Sequence, residues 1–142
     1  VNRFTMDEVD MRILEHLIED STRSFKDIGE LVHLTGQAVG ARVRKLEDAG
    51  IIEGYTLRWN PEQVGLSVHA FVTVFLHSSI AHQRFQSFAQ QHGQVAEMHR
   101  VSGEGCYWMR VRVGSPQELN QLLDEILDYG NYKVSLSIGQ IK

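Results

Sequence analysis

The chain has 142 residues, enough for one domain or two small ones, and carries a formal net charge of -4. Hydrophobic residues make up 42% and charged residues 23%, ordinary for a globular protein. No apolar run is long enough to span a bilayer, the opening VNRFTMDEVD lacks a signal-peptide core, and the single cysteine, Cys106, excludes an internal disulfide. A reducing cytoplasm is therefore the expected setting. At a pI near 6.0, nucleic-acid binding would require positive charge concentrated locally.

The first helix signal is Met6-Asp7-Glu8-Val9-Asp10, with Asp7 as N-cap, Asp10 three residues on, and Met6 and Met11 placed as a hydrophobic staple. Ile13, Leu14, Leu17 and Ile18 form one apolar face, which stops at Asp20-Ser21-Thr22-Arg23. Ser24 opens a second helix with Ile28, Leu31 and Val32 as its buried stripe. His33-Leu34 breaks it. Thr35 caps a third helix whose Val39, Val43 and Leu46 point inward, and Gly50 supplies the left-handed position past its end. Residues 51–57 read as a short strand pair or wing.

Asn60-Pro61 is the expected hinge, dividing the chain into 1–60 and 61–142. Beyond it the apolar period changes from 3.6 to 2. Strands are expected at 68–76, 95–101, 106–113 and 132–141, with a helix from Ala81 to His92. A second helix starts at Ser115-Pro116-Gln117-Glu118, continues through Leu119, Leu122, Leu123, Ile126 and Leu127, and ends at Gly130-Asn131. The order is β-α-β-β-α-β, a ferredoxin-like arrangement, so the fold class is α+β. Helices in such a fold cover one sheet face. Strand 68–76 is apolar on both, with Val68, Ala70, Val72, Val74 and Leu76 on one side and Phe71 and Phe75 on the other. The uncovered face predicts a homodimer.

Residues 1–60 hold eight Lys and Arg against eleven Asp and Glu, yet from Val32 to Leu46 there are three basic residues and no acid. On a helical wheel the third helix turns Gln37, Ala38, Ala41, Arg44 and Lys45 outward, with Arg42 at the border. The second helix of a helix-turn-helix enters the major groove, where Gln pairs with adenine and Arg with guanine. Gly36, Ala38, Gly40 and Ala41 are small enough for close approach to DNA. Arg23, Ser24 and Thr35 suit phosphate contacts, which position without specifying. The alternative is an ordinary solvated helix face. Three short helices, a tight turn and a following wing favour DNA.

The run Met6-Asp7-x-x-Asp10-x-x-Ile13-Leu14, then Leu34-Thr35, then Arg42-Val43-x-x-Leu46-Glu47-x-x-Gly50-Ile51-Ile52-x-Gly54-Tyr55, with Gly65-Leu66 beyond, resembles the Lrp/AsnC family of prokaryotic transcription factors. The resemblance covers nearly the whole chain. It implies a winged helix-turn-helix followed by an effector-binding and assembly domain, acting on double-stranded DNA as dimers that assemble further, often into octamers, and responding to amino acids. His33 stands where the family often has Gly and must adopt positive φ. The family's Gly-x-x-Asp-Tyr appears as Gly103-Glu104-Gly105-Cys106-Tyr107, with Cys106 in place of the Asp; a neutral thiol cannot meet an ammonium group by charge. The effector site implied is His99, Val101, Gly103, Glu104, Gly105, Cys106 and Tyr107.

Other chemistry has weaker support. Cys106 has no basic neighbour in sequence, although His99 and Arg100 could pair across from it. The seven histidines lack ligand spacing, so no metal or other cofactor is expected. Gly103-Glu104-Gly105 lacks the Lys and Ser/Thr of a phosphate loop. An enzyme or sensor would have to draw on Glu97, His99, Arg100, Glu104 and Cys106, which show no repeated catalytic spacing. The reading is a sequence-specific transcriptional regulator. A DNA-organising protein without an effector is the alternative that shares its recognition helix.

Overall fold

The computed structural model describes residues 4–142. The chain divides into two compact units, Val1–Arg58 and Trp59–Lys142. Among the described residues no helix is long and apolar enough to cross a membrane.

The first unit is three helices: α1 (Glu8–Glu19), α2 (Phe25–Val32) and α3 (Gly36–Asp48). Local capping starts each. Asp7 and Asp10 form a complete capping box on α1, Ser24 accepts from the Asp27 N–H at 3.0 Å on α2, and Thr35 accepts from the Ala38 N–H at 3.1 Å on α3. Ile13, Leu17, Ile28, Val32, Val39 and Val43 form the core. Three residues expected in it are not: Ile18 is 74% exposed, Leu31 is 45% exposed, and Leu14 is half-buried outside the cluster. On α2 the inward position belongs to Gly29, which is buried.

Gly29 sets the distance between α2 and α3. A methyl group there would lie 2.3 Å from the Leu34 carbonyl oxygen. The Leu34 N–H in turn donates to the Gly29 carbonyl at 2.9 Å. His33 closes α2 in the left-handed region at φ 61, ψ 44, as the turn demands. Gly36 and Gly40 also serve packing. Methyl groups on them would meet the Lys26 backbone nitrogen at 3.2 Å and the Phe25 ring at 3.1 Å. The expectation that these two glycines open the helix towards DNA is corrected accordingly.

Residues 51–58 form no strand pair. The Ile51 and Ile52 N–H groups both donate to the Leu46 carbonyl and close α3; residues 53–58 after them form no helix or strand and make no backbone hydrogen bonds among the described residues.

The second unit begins with a short 3₁₀ turn, Pro61–Val64. It continues with β1 (Val68–Leu76), α4 (Ala81–Gln91), β2 (Val95–Arg100), β3 (Tyr107–Val113), α5 (Pro116–Ile126) and β4 (Gly130–Leu136). The sheet order is β2-β3-β1-β4, every pair antiparallel. The split βαβ topology follows. Ala70, Val72, Val74, Tyr107, Met109, Val111 and Val113 pack under Phe85, Ala89, Leu119, Leu122, Leu123 and Ile126 of the two helices. Leu127, expected on that stripe, is the C-cap of α5 and is exposed. β4 starts earlier and ends earlier than the apolar pattern implied. Gly130 pairs with Leu76, where only a residue without a side chain fits: a methyl would lie 2.0 Å from the Phe75 carbonyl. The strand stops after Leu136 because β1 offers one more acceptor, the His69 carbonyl, taken by Ser137 at 2.8 Å.

Gly29→Ala is expected to destabilise the first unit by ~2 kcal/mol or more, through overpacking against the Leu34 carbonyl. Chemical denaturation of the variant checks this; a loss within ~0.5 kcal/mol would show that the helix crossing can relax.

Candidate nucleic-acid interface and effector turn

The N-terminal ends of α2 and α3 lie side by side, since the Lys26 backbone is within van der Waals reach of Gly36. Each end carries partial positive charge from unpaired N–H groups. The Ser24 and Thr35 oxygens cap these ends, which leaves each hydroxyl hydrogen free to donate outward. Gln37, Ala41, Arg44 and Lys45 are exposed on α3, and Ala38 is half-buried beside Thr35. Among the described residues Arg44 and Lys45 make no ion pair. Lys26, absent from the sequence-based set, is exposed in the first turn of α2 next to this surface. Its signal was available, a lysine two positions after an N-cap serine.

Three other arginines of this unit, Arg12, Arg23 and Arg42, are held internally. Arg23 donates to the His16 carbonyl at 3.1 Å and to Glu19 at 3.0 Å. Arg12 donates to the Leu31 carbonyl at 2.9 Å, at the end of α2. Arg42 reaches 2.8 and 2.7 Å from the two Asp7 carboxylate oxygens and 2.9 Å from Asp10 Oδ1, all through Nη1. Hydrogen bonds from Arg42 and from the Asp10 backbone hold Asp7 below the usual carboxylate range, and the same carboxylates raise Arg42. Asp10 is 4% exposed, a buried charge that is both paired and hydrogen-bonded.

In the second unit Gly103 and Gly105 take φ 97 and 77. Gly105 sits close on β1, where a methyl would be 2.5 Å from Thr73 Cγ2. The Cys106 N–H donates to the Val74 carbonyl at 2.8 Å, and its carbonyl accepts from Val101 at 3.1 Å. Gly103, Glu104, Gly105, Cys106 and Val101 are thus brought together at one turn, with Glu104 ion-paired to Lys133. Cys106 is half-buried. Tyr107 turns the other way, into the core under α4, where its hydroxyl accepts from Gln86 Nε2 at 2.7 Å and lies 3.0 Å from His82 Nδ1. His99 is exposed and bonded to Glu97 at 3.2 Å. That bond, followed by the one from Arg110, lowers the Glu97 carboxyl. Arg100 lies over the Tyr107 ring. Glu97, His99, Arg100, Glu104 and Cys106 therefore divide among separate partners. Among the described residues no three His, Cys, Asp or Glu side chains gather as a metal site.

The sheet face away from α4 and α5 carries Phe71 stacked on Trp108 at 5.6 Å, with His69 and His99 against them. Arg112 Nε and Nη1 and His69 Nε2 are out of solvent without a hydrogen-bond partner. Burial, then Arg112 and Arg110, lowers the His69 pKa.

Two family descriptions match the chain: the AsnC-type helix-turn-helix domain at residues 6–47 and the Lrp/AsnC ligand binding domain at residues 69–142. The HTH-type transcriptional regulator LrpB of Bacillus subtilis is 41% identical over 137 residues, covering 96% of this chain and 91% of its own. LrpA of the same organism is 39% identical over 136 residues, covering 95% and 99%. The solved structure of B. subtilis LrpC superposes with a TM-score of 0.91 at 27% identity, covering 98% of this chain and 99% of that one. A Neisseria meningitidis transcriptional regulator in complex with L-Met superposes with a TM-score of 0.92 at 26% identity, covering 97% and 93%. The order of a helix-turn-helix unit followed by a βαββαβ sheet unit agrees with these matches: the chain belongs to the Lrp/AsnC family of DNA-binding helix-turn-helix transcriptional regulators, which are not enzymes.

Proposed function

We propose that Gln37, Ala38 and Ala41 of α3 form the base-reading face, and that Arg44 and Lys45 on the same side of the helix join Ser24, Lys26 and Thr35 as phosphate contacts. The observation that carries this reading is the division of the cations. Arg12, Arg23 and Arg42 are held by internal acceptors, whereas Lys26 is exposed in the first turn of α2 and Arg44 and Lys45 are exposed on the C-terminal half of α3. Arg23 and Arg42, both candidates from sequence, leave the DNA-facing set on this reading.

The regulator acts as a homodimer in this proposal. A single module binds DNA weakly, roughly 10⁻⁴ to 10⁻⁶ M non-specifically, and a second recognition helix about one turn away raises affinity and specificity together. Support comes from the aromatic sheet face with its unpartnered Arg112 and His69 atoms, because buried donors without acceptors are costly. A second support lies in the first unit. Residues 53–58 form no helix or strand, Tyr55 and Leu57 are exposed, and a groove of about 670 Å³ runs between them and Leu14, Ile18 and Ile51. Assembly of dimers into an octamer is the family's implication.

The effector reading places a small molecule at the turn 101–106. The open space beside the Gly103 backbone leaves room for a ligand next to the main chain. Cys106 supplies no charge for an ammonium group, so the ligand's contacts come from backbone groups and from Glu104. Location in the cytoplasm follows from the DNA partner. An effector-free DNA organiser would share the α3 surface and differ at this turn.

Genomic fragments bound at several salt concentrations and then sequenced test the DNA reading. Discrete sites are expected, and uniform recovery would favour the organiser. Arg44→Ala or Lys45→Ala should each lower the salt slope by about 0.9, one phosphate contact's worth. Trp108→Lys should yield monomers in sedimentation, and a dimer of unchanged strength would remove the sheet face from assembly. His69 has a depressed pKa, so its contribution is full above the ordinary value of 6.5 and declines as pH falls below it. The stability of the wild type should therefore drop on acidification from 6.5 more steeply than that of His69→Gln. Titration calorimetry against each free amino acid tests the effector. Cys106→Asp should bind amino acids more tightly than the wild type, and equal binding by both would show that the position does not read the ammonium group.

A further inference from the structure

Two sequence signatures more than thirty residues apart meet in one cluster. The N-cap and N3 aspartates of α1 bond each other's backbone, Asp7 N–H to Asp10 Oδ2 at 3.1 Å and Asp10 N–H to Asp7 Oδ1 at 2.7 Å. Both also accept from the same nitrogen of Arg42, in the middle of α3. Arg42 follows the exposed Ala41 and precedes the buried Val43 and the exposed Arg44 and Lys45. α3 is pinned at its start by the glycine contacts with α2 and at its end by the Leu46 carbonyl, which receives Ile51 and Ile52. Arg42 is its polar anchor between those points, and its anchor is the cap of a different helix.

We propose that Arg42 is a positioning residue for DNA recognition: its clamp on Asp7 and Asp10 sets the rotation of α3 and so aims Gln37, Ala41, Arg44 and Lys45 at the groove. This rests on the reading of α3 as the recognition helix. Charge argues against a direct phosphate contact. One guanidinium between two carboxylates leaves the cluster at net -1, which repels a phosphate and releases no counterion. Geometry argues for positioning. Base contacts need side chains held within about 0.5 Å, and a paired, hydrogen-bonded guanidinium is a directional anchor that a hydrophobic contact is not.

The test uses Asp7→Asn in the full chain. Asparagine is as good an N-cap as aspartate, so α1 keeps its start while the clamp loses one charge. Binding is measured against a duplex recovered by selection and a mixed-sequence duplex, across salt. Discrimination between the two is expected to fall on the order of ten-fold, about 1.4 kcal/mol, with the salt slope unchanged. Arg42→Gln should lower discrimination further, again at constant slope, whereas Arg44→Ala lowers the slope. A merely structural role would lower the melting temperature and leave the discrimination of the folded protein intact. Tighter binding and a steeper slope in Asp7→Asn would mean that the carboxylate restrains an arginine otherwise bound to phosphate, and would overturn the proposal, as would unchanged discrimination in that variant. Should Arg42→Gln fail to fold, Asp7→Asn still decides. If Gln37→Ala and Arg44→Ala both leave DNA binding untouched, the recognition-helix reading fails first, and separately.

Discussion

The helix-turn-helix depends on how closely two backbones can approach at Gly29. The Leu34 carbonyl occupies the space that a side chain would need, and the same pair of residues is joined by a hydrogen bond. This contact dictates the left-handed turn at His33, places Thr35 where it can cap α3, and brings the ends of α2 and α3 together. Any larger residue at position 29 would push α3 away, and the surface built from two helix N-termini would separate. His33 accepts a backbone region that costs a non-glycine residue on the order of 1 kcal/mol, offset by the packing that the turn makes possible.

The charge distribution follows from this packing. The first unit is acidic overall, and several of its acids stand at helix starts, where the macrodipole favours them: Asp7, Glu8 and Asp10 on α1, Asp27 on α2. α3 has no acid in its first turn. Arg23 and Arg42 are paired with carboxylates and Arg12 is held by a carbonyl, whereas Lys26, Arg44 and Lys45 project outward. A locally positive surface on a net-negative protein is therefore a product of which side of α3 each basic residue occupies, and no excess of base is required.

The second unit solves a different constraint. A four-stranded sheet with both helices on one face leaves the other face to aromatic and basic side chains. Phe71 and Trp108 cover each other in part, but Arg112 keeps two donors without acceptors among the described residues. On the covered face Tyr107 shows how a polar group is accommodated, its hydroxyl met by Gln86 and His82 from α4. The turn between β2 and β3 is tied to β1 through Cys106 and Val74, so a ligand at the turn would act directly on the central strand.

What the sequence determined by itself was everything governed by neighbours within about a helical turn. The caps at Asp7, Ser24, Thr35 and Ser115, the positive φ at His33, the period change after Pro61 and the glycine turn at 103–105 are short-range consequences of residue type and spacing, and each stands in the structure. What only the tertiary structure decided was which of several equivalent local choices a distant residue would use. Leu31 is exposed because Gly29 takes the packed position against Leu34. Residues 51–58 form no strand pair, and the Ile51 and Ile52 N–H groups go instead to the Leu46 carbonyl in the last turn of α3. β4 ends where β1 runs out of acceptors. Arg42 lies on the border of the α3 wheel, so its direction could not be read from periodicity; two carboxylates on another helix, more than thirty residues away, settle it.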